Sequence, residues 1–467
     1  MQRIANACRR HLVGAPRAVG GRHALSTACV GRGTFAKTTF REPDRSKPLL
    51  VLAYSGGLDT SAQLSWLAKQ KGFEVCAYIA DLGQDDVVDD AAIDAICAKA
   101  EASGAYAFYC EDLRENFVSE YVYPCLQSGA LYEGRYLLGT AMARPCIAQR
   151  QVEIAHREGA THISHGSTGK GNDQVRFELC YLGMDPTLEC VTLWRDAEYL
   201  ARFEGRQDLL DYAAEAGIPV TATKKASFSE DENCMHISYE SGELEDPAFP
   251  GHDREYPDEM WKKTTPLADT PDTPANLTID FEQGAPVRVT NADDGTVLEG
   301  SASNFELFDY LNKLGGAHGV GRIDIVENRF VGMKSRGCYE TPAGTILHRA
   351  HLDLETLTVD REVMRIRDTL SVKFAELVYN GYWFSPEMGF LRAALDHCQG
   401  AVTGSADVQL FKGNVIERGR SSPYSLYNEA LVSMDEAGGF DAGHSTGFIQ
   451  TLATRIKASA ARDKMIK

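Results

Sequence analysis

Two stretches of this 467-residue chain carry residue types at spacings that can do chemistry. The first is Ser55-Gly56-Gly57-Leu58-Asp59-Thr60-Ser61, which closes the apolar run Leu49 to Tyr54. Paired glycines let a backbone approach an anion and take positive φ. The first amides of a following helix lack intrahelical partners, and with the N–H groups of the turn they form an anion nest. The stretch predicts phosphate binding, although Ser-Gly-Gly alone also fits an ordinary loop. The G-x-x-x-x-G-K-[ST] spacing of a Walker A loop is absent. The second stretch is His165-Gly166-Ser167-Thr168-Gly169-Lys170-Gly171-Asn172-Asp173, followed by Gln174-Val175-Arg176. Its lysine can neutralise phosphate, while Thr168, Asn172, Asp173 and Arg176 offer polar contacts to a substrate. A polar loop capping a helix through Asn172 or Asp173 is the competing reading.

Both stretches need a scaffold that presents loops at strand ends. From Pro48 the pattern alternates short apolar runs with helical periodicity. Leu49–Tyr54, Val75–Ile79, Ala105–Tyr109 and Thr161–Ser164 read as strands; Thr60–Lys71, Val87–Ser103, Leu113–Tyr123 and Arg144–Glu158 read as helices. This alternation predicts a parallel α/β sheet over residues 48–216, with ligands at the carboxyl ends of the strands, where Ser55, Asp81 and His165 fall. Residues 217–440 read as α+β. A long Pro- and charge-rich excursion spans Glu245 to Asn276, and hairpins are expected across Gln283-Gly284-Ala285 and Gly413-Asn414. Residues 441–467 form an expected helical arm in which Phe448, Leu452 and Ile456 recur on one face, suited to its own domain or a second subunit.

A formal charge of −18 argues against extended nucleic-acid binding, and no apolar run is long enough to span a bilayer. The twelve cysteines are scattered, without C-x-x-C or zinc-finger spacing, which fits free thiols in a reducing compartment. Residues 1–47 differ from the rest. Arg3, Arg9, Arg10, Arg17, Arg22, Arg32, Lys37 and Arg41 precede the first acidic residue, Glu42. That composition predicts a transit peptide to mitochondrion or plastid, set apart from the fold; a disordered tail on a cytoplasmic protein is the alternative.

Ser55 to Ser61 resembles the pyrophosphate loop of the ATP-pyrophosphatase superfamily. Together with the His165 to Leu179 string it resembles the paired signatures of the argininosuccinate synthase family. Further matching strings follow in order: Ala80-Asp81-Leu82-Gly83-Gln84, Ala130 to Thr140, Asp231-Glu232-Asn233, His236 to Glu240, Gly319 to Arg329 and Met333 to Pro342. The resemblance implies an ATP-pyrophosphatase-type nucleotide domain, then a synthetase domain and a C-terminal arm, usually in a homotetramer. It implies condensation of citrulline with aspartate, using ATP as a substrate with Mg²⁺ and no tightly bound cofactor.

By the same resemblance, Ala53, Tyr54, Ser55, Gly56, Gly57, Leu58, Asp59, Thr60, Ser61, Ala80, His165, Gly166 and Lys170 serve ATP, with Asp59 and Lys170 handling the phosphates. Tyr136, Asn172, Arg176, Ser229, Ser238, Glu327 and Tyr339 serve citrulline. Thr168, Asn172 and Asp173 serve aspartate. One departure is Ala141, where the family usually carries a citrulline-site serine; Thr140 is the neighbouring hydroxyl that could replace it. A tRNA thiolase would want a reactive C-x-x-C and a basic face, a glutamine-hydrolysing synthetase a further domain, and a non-catalytic relative degraded glycines. None of these fits the chain.

Overall fold

A computed structural model describes residues 36–466 apart from 170, 220–227, 253, 258–259, 300–301 and 434–438. Lys170 and most of the expected leader therefore lie outside the described residues. The first sheet contains β1 (Ala36–Thr39), β2 (Leu49–Ala53), β3 (Glu74–Asp81), β4 (Ala107–Asp112), β5 (His162–Ser164) and β6 (Glu189–Val191), in the spatial order β1-β4-β3-β2-β5-β6. All neighbours run parallel except β1, which is antiparallel to β4. Leu50, Val51 and Leu52 have no solvent exposure, as befits a central strand covered on both faces.

β2 pairs with β3 on one side and β5 on the other. The strand order reverses there, and such a switch point opens a crevice at the carboxyl ends. The buried Gln151 side chain, on the helix Gly139–Glu158, clamps the pair: its amide N–H donates to the carbonyls of Val51 at 3.0 Å and Ser164 at 2.8 Å.

Helix bounds differ from expectation at several ends, and the helix expected from Val87 starts at Asp90. The helix expected from Thr60 runs Leu58–Lys69. The segment expected to end at Tyr123 continues to Gln127 through a π turn, Val118–Val122. The helix expected from Arg144 starts at Gly139 and carries Pro145 in its interior, although proline after Arg144 reads locally as a helix start.

Part of the segment set apart from the fold also belongs to it. β1 edges the sheet, and Lys37 Nζ lies 2.7 Å from Glu158 Oε1, while Arg41 Nη1 lies 2.6 Å from Glu74 Oε2. Arg45 donates to the Glu158 carbonyl at 2.7 Å. Both carboxylates are buried. Composition alone marks these cations as leader-like, but buried carboxylates at the sheet edge recruit them. Burial works to raise the Glu158 carboxyl, yet Lys37 and the hydroxyls of Tyr109 and Tyr106 hold it below its ordinary range. That stabilisation is present at neutral pH and is lost as acid protonates Glu158. Lys37→Met is expected to cost about 1.5–3 kcal/mol, read as a lower urea midpoint at pH 7 that converges on wild type in acid, with activity at 25 °C retained.

The second half holds two antiparallel sheets. One contains β7 (Ser229–Glu232) and β8 (Ile237–Glu240); the other contains β9 (Ala275–Glu282), β10 (Ala285–Asn291) and β11 (Val297–Glu299). β12 (Arg322–Asn328) and β13 (Lys334–Glu340) complete the first, in the order β12-β13-β8-β7; β14 (Gly404–Phe411) and β15 (Asn414–Ser421) complete the second, in the order β11-β10-β9-β14-β15. The first hairpin turns at Gln283 and Gly284, both with positive φ, as a two-residue turn of the primed class demands. The second turns at Lys412 and Gly413, one residue before the expected Gly413-Asn414; Asn414 opens β15 and caps the turn with its amide. The helix Gly443–Ile466 leaves Phe448, Leu452 and Ile456 exposed on this single chain. Among the described residues no helix is long and apolar enough to cross a membrane.

Candidate active site

At the end of β2 the chain turns sharply. Gly56 takes φ +75°, and its carbonyl accepts from Lys99 Nζ at 2.8 Å. The buried Tyr54 hydroxyl pairs with Ser61 Oγ at 2.9 Å, and Ser61 Oγ donates to the Gly57 carbonyl at 2.7 Å. Gly57, the residue before the helix, provides no side-chain cap for the first-turn amides. Donors without an intrahelical partner can be met by water, a side chain or a ligand. Ser55 Oγ meets Thr60 Oγ1 at 3.1 Å. The loop divides a cleft of about 630 Å³ from a second of about 520 Å³, and Ser55, Asp59 and Asp86 border both. Ala53 and Ala80 line the larger. Desolvation raises the Asp59 carboxyl above its ordinary value, and Arg206 opposes that rise.

Because β5 neighbours β2, the loop after it faces the first. They meet at Gly166, where a Cβ would lie 2.5 Å from Thr60 Cγ2, an approach that glycine permits. Gly166, Ser167 and Thr168 border the larger cleft. The His165 ring is turned away from it. Nδ1 accepts the Ser167 amide at 3.2 Å, which places the ring proton on Nε2, 3.4 Å from Glu178. His165 therefore shapes the loop.

Asp173 borders the same cleft and receives Arg144 on one oxygen, at 3.0 and 2.7 Å, and Arg176 on the other, at 2.8 Å. Arg144 also reaches Asp231 at 2.5 Å. Burial works to raise the Asp173 carboxyl, but the two guanidiniums hold it well below the usual carboxylate range. It is a fixed anion, too weak a base to take a proton at neutral pH.

Beyond Asp173 lies a buried polar aromatic cluster. Tyr339 on β13 folds along its strand across Gly337, where a Cβ would lie 2.3 Å from the Tyr339 hydroxyl oxygen. The hydroxyl thereby reaches Glu327 on β12 at 3.0 Å. Tyr379 donates to the other Glu327 oxygen at 2.6 Å. Burial raises the Glu327 carboxyl against these hydrogen bonds. Tyr136 stacks on Tyr339 with ring centroids 4.3 Å apart, and its oxygen accepts the Thr140 amide at 3.2 Å. Asn172 joins through Tyr379, and Ser238 pairs with Tyr339 across the sheet. Ser229 stands exposed at the start of β7.

Ala141 is wholly enclosed. The neighbouring Thr140 hydroxyl is already engaged, 3.0 Å from His236 Nε2. Burial, aided by Lys263, Arg144 and Arg176, pushes the His236 ring down to about 3, so it is neutral at physiological pH.

The structure thus brings Ser55, Asp59 and Thr60 of the first stretch and Gly166, Ser167, Thr168 and Asp173 of the second to one cleft, while Gly56, Gly57, Leu58 and Ser61 border the smaller one. Sequence reasoning missed Arg144, Asp231, Lys99 and Tyr379 as parts of the site. Asp231 lies within a recognised string and Arg144 opened an expected helix, so each carried a signal of place. Tyr379 carried none, being one of two aromatic residues in an amphipathic helix.

Comparisons with known proteins agree along the chain. The family model described as the arginosuccinate synthase N-terminal HUP domain matches residues 49–219, and the arginosuccinate synthase C-terminal domain matches residues 228–459. An argininosuccinate synthase of Thermotoga sp. (strain RQ2) is 55% identical over 412 residues, covering 88% of this chain and 97% of the relative. Those of Danio rerio and Homo sapiens are 53% and 52% identical, each over 88% of this chain and 96% and 97% of their own length. With both halves matched by the models and half of its residues shared with full-length relatives, the chain belongs to the argininosuccinate synthase family.

Proposed function

We propose that the protein condenses L-citrulline with L-aspartate at the expense of ATP, giving argininosuccinate, AMP and pyrophosphate through a citrullyl-adenylate, as a step of arginine biosynthesis. The observation that carries this reading is the Gly166–Thr60 contact, which sets a phosphate loop and a substrate loop against each other at one cleft. A ureido carbon is a poor electrophile. Transfer of the adenylyl group to its oxygen creates a leaving group that the aspartate amine then displaces. Both steps depend on positioning and charge stabilisation.

In this scheme Ala53 to Ser61 and Ala80 hold ATP with the α-phosphorus toward citrulline. Gly166 gives the second loop its close approach, and Lys170 neutralises phosphate charge. Asp59 is the carboxylate suited to Mg²⁺ on the phosphates, since that ion takes oxygen ligands and keeps most of its contacts to phosphate and water. Glu327 receives the citrulline ammonium. Tyr136, Tyr339, Asn172, Arg176, Ser229 and Ser238 bind the rest of that substrate. Thr168, Asn172 and Asp173 hold aspartate, Asp173 as an acceptor for its amine. The missing hydroxyl at Ala141 lowers citrulline affinity by about 0.5–1.5 kcal/mol.

The apolar stripe on the terminal helix supports a homotetramer in which that helix packs on another subunit. The arginine-rich segment supports an organellar leader, cleaved before Ala36 so that β1 stays on the sheet; a cytoplasmic protein that keeps the segment is the alternative. Pyrophosphate release by purified protein tests the reaction. It is expected to require citrulline and to yield argininosuccinate only when aspartate is added. A rate indifferent to citrulline overturns the assignment.

A further inference from the structure

Tyr379 stands near the end of the helix Arg361–Asn380, far in sequence from both chemical stretches, and is fully buried. It touches three residues given to citrulline above. Its hydroxyl donates to Glu327 Oε1 at 2.6 Å and accepts from Asn172 Nδ2 at 3.1 Å. Its backbone carbonyl accepts from Arg176 Nε at 2.8 Å, and its ring lies 4.8 Å from the Arg176 guanidinium. The ring also stacks on Tyr132, with centroids 3.7 Å apart and planes at 4°. This close approach requires Gly381 next to the helix end, where a Cβ would lie 2.6 Å from Arg176 Cα.

The direction of the hydrogen bonds is determined. The Phe330 amide donates to Asn172 Oδ1 at 3.0 Å, which fixes the side-chain amide and turns its N–H toward Tyr379. The phenol must accept there, so its single proton goes to Glu327. Tyr339 donates to the second carboxylate oxygen. Glu327 is thereby held in one rotamer, and Arg176 is held between the Tyr379 carbonyl and Asp173.

Resting on the citrulline assignment made above, we infer that Tyr379 is a positioning residue for that substrate, orienting Glu327 and Asn172 through one hydroxyl and Arg176 through its carbonyl and ring. A tyrosine that only fills the core would affect stability alone.

Steady-state kinetics of the full-length Tyr379→Phe variant separate the two roles. The ring stack and the carbonyl are kept, and only the hydroxyl is lost. KM for citrulline is expected to rise about tenfold, the scale of one hydrogen bond to a charged group, with KM for ATP within about twofold of wild type on the same principle, since that bond does not face the nucleotide. The acid limb of kcat/KM for citrulline is expected to move to higher pH, because the Tyr379 hydrogen bond favours the ionised form of Glu327. The groups facing that carboxylate are Tyr339, Tyr136, Tyr132, Arg176, Arg329 and Glu240, and none of them is altered. Glu327→Gln serves as the reference variant, and the double variant is expected to bind citrulline little worse than Glu327→Gln alone. Unmoved citrulline kinetics in Tyr379→Phe beside an impaired Glu327→Gln, or fully additive losses in the double variant, overturn the inference. Unmoved kinetics in Glu327→Gln overturn instead the placing of citrulline at Glu327, and the inference with it.

Discussion

Asp59→Ala is expected to lower citrulline-dependent pyrophosphate release at least ~100-fold, the scale on which losing one preorganised stabilising group acts, while leaving the thermal unfolding curve in place. Asp59 lies in the first turn of the helix Leu58–Lys69 and borders both clefts. No other acidic residue of the two loops stands so close to the glycine turn. A carboxylate there is favoured by the helix N-terminus, and an anionic oxygen holds a hard cation on the phosphates more strongly than a neutral one. Asp59→Asn keeps the shape and removes the charge, so it should share the loss. Desolvation raises the Asp59 carboxyl in the free protein, so the acid limb of kcat/KM for ATP is expected above the ordinary aspartate range. Full activity in either variant would falsify the assignment of the loop to ATP.

Arg144→Met is the second large effect. One guanidinium serves Asp173 and Asp231, and its side chain is 14% exposed. Removing it leaves two carboxylates partly buried, with Arg176 still on Asp173. Breaking such a pair costs about 3–5 kcal/mol, discounted here because both carboxylates keep some solvent contact. The folded enzyme that remains is expected to show KM for aspartate raised at least about tenfold, the equivalent of 1.4 kcal/mol in lost binding, because Asp173, held then by Arg176 alone, loses part of the positioning that its proposed contact to the substrate amine requires. Asp173 is held well below its ordinary value in the native protein. The stability it contributes is therefore full above the unfolded carboxylate value and is lost as acid protonates it. The difference in urea midpoint between wild type and variant should narrow as pH falls. Asp231→Asn removes one acceptor and leaves the Arg144–Asp173 bond. An aspartate KM unchanged in both variants would show the triad to be structural only.

These predictions join loops that local sequence marks clearly to partners that it does not. Ser55 to Ser61 was legible because a glycine turn between an apolar strand and a helix is a local event, set by φ preferences and unpaired amides within a few residues. The primed turn at Gln283-Gly284 was legible for the same reason. At the second hairpin the same rule missed by one residue, since Lys412 accepts positive φ and frees Asn414 to open the strand. β1 was missed because its cations resemble those of a leader. Their role depends on Glu74 and Glu158, residues brought to that edge only when the sheet forms.

By itself the sequence determined the α/β class of the first half, the two loops and the family. Each rests on short strings whose meaning survives without neighbours. Tertiary structure alone decided that β2 and β5 lie side by side, so that Gly166 meets Thr60, and that Arg144 stands between Asp173 and Asp231. It also decided that Tyr379, from a helix with no motif, donates to the buried Glu327 carboxylate. Strand order, side-chain reach and the burial that shifts a carboxyl are properties of packed elements. No window of sequence contains the residues on both sides of such a contact.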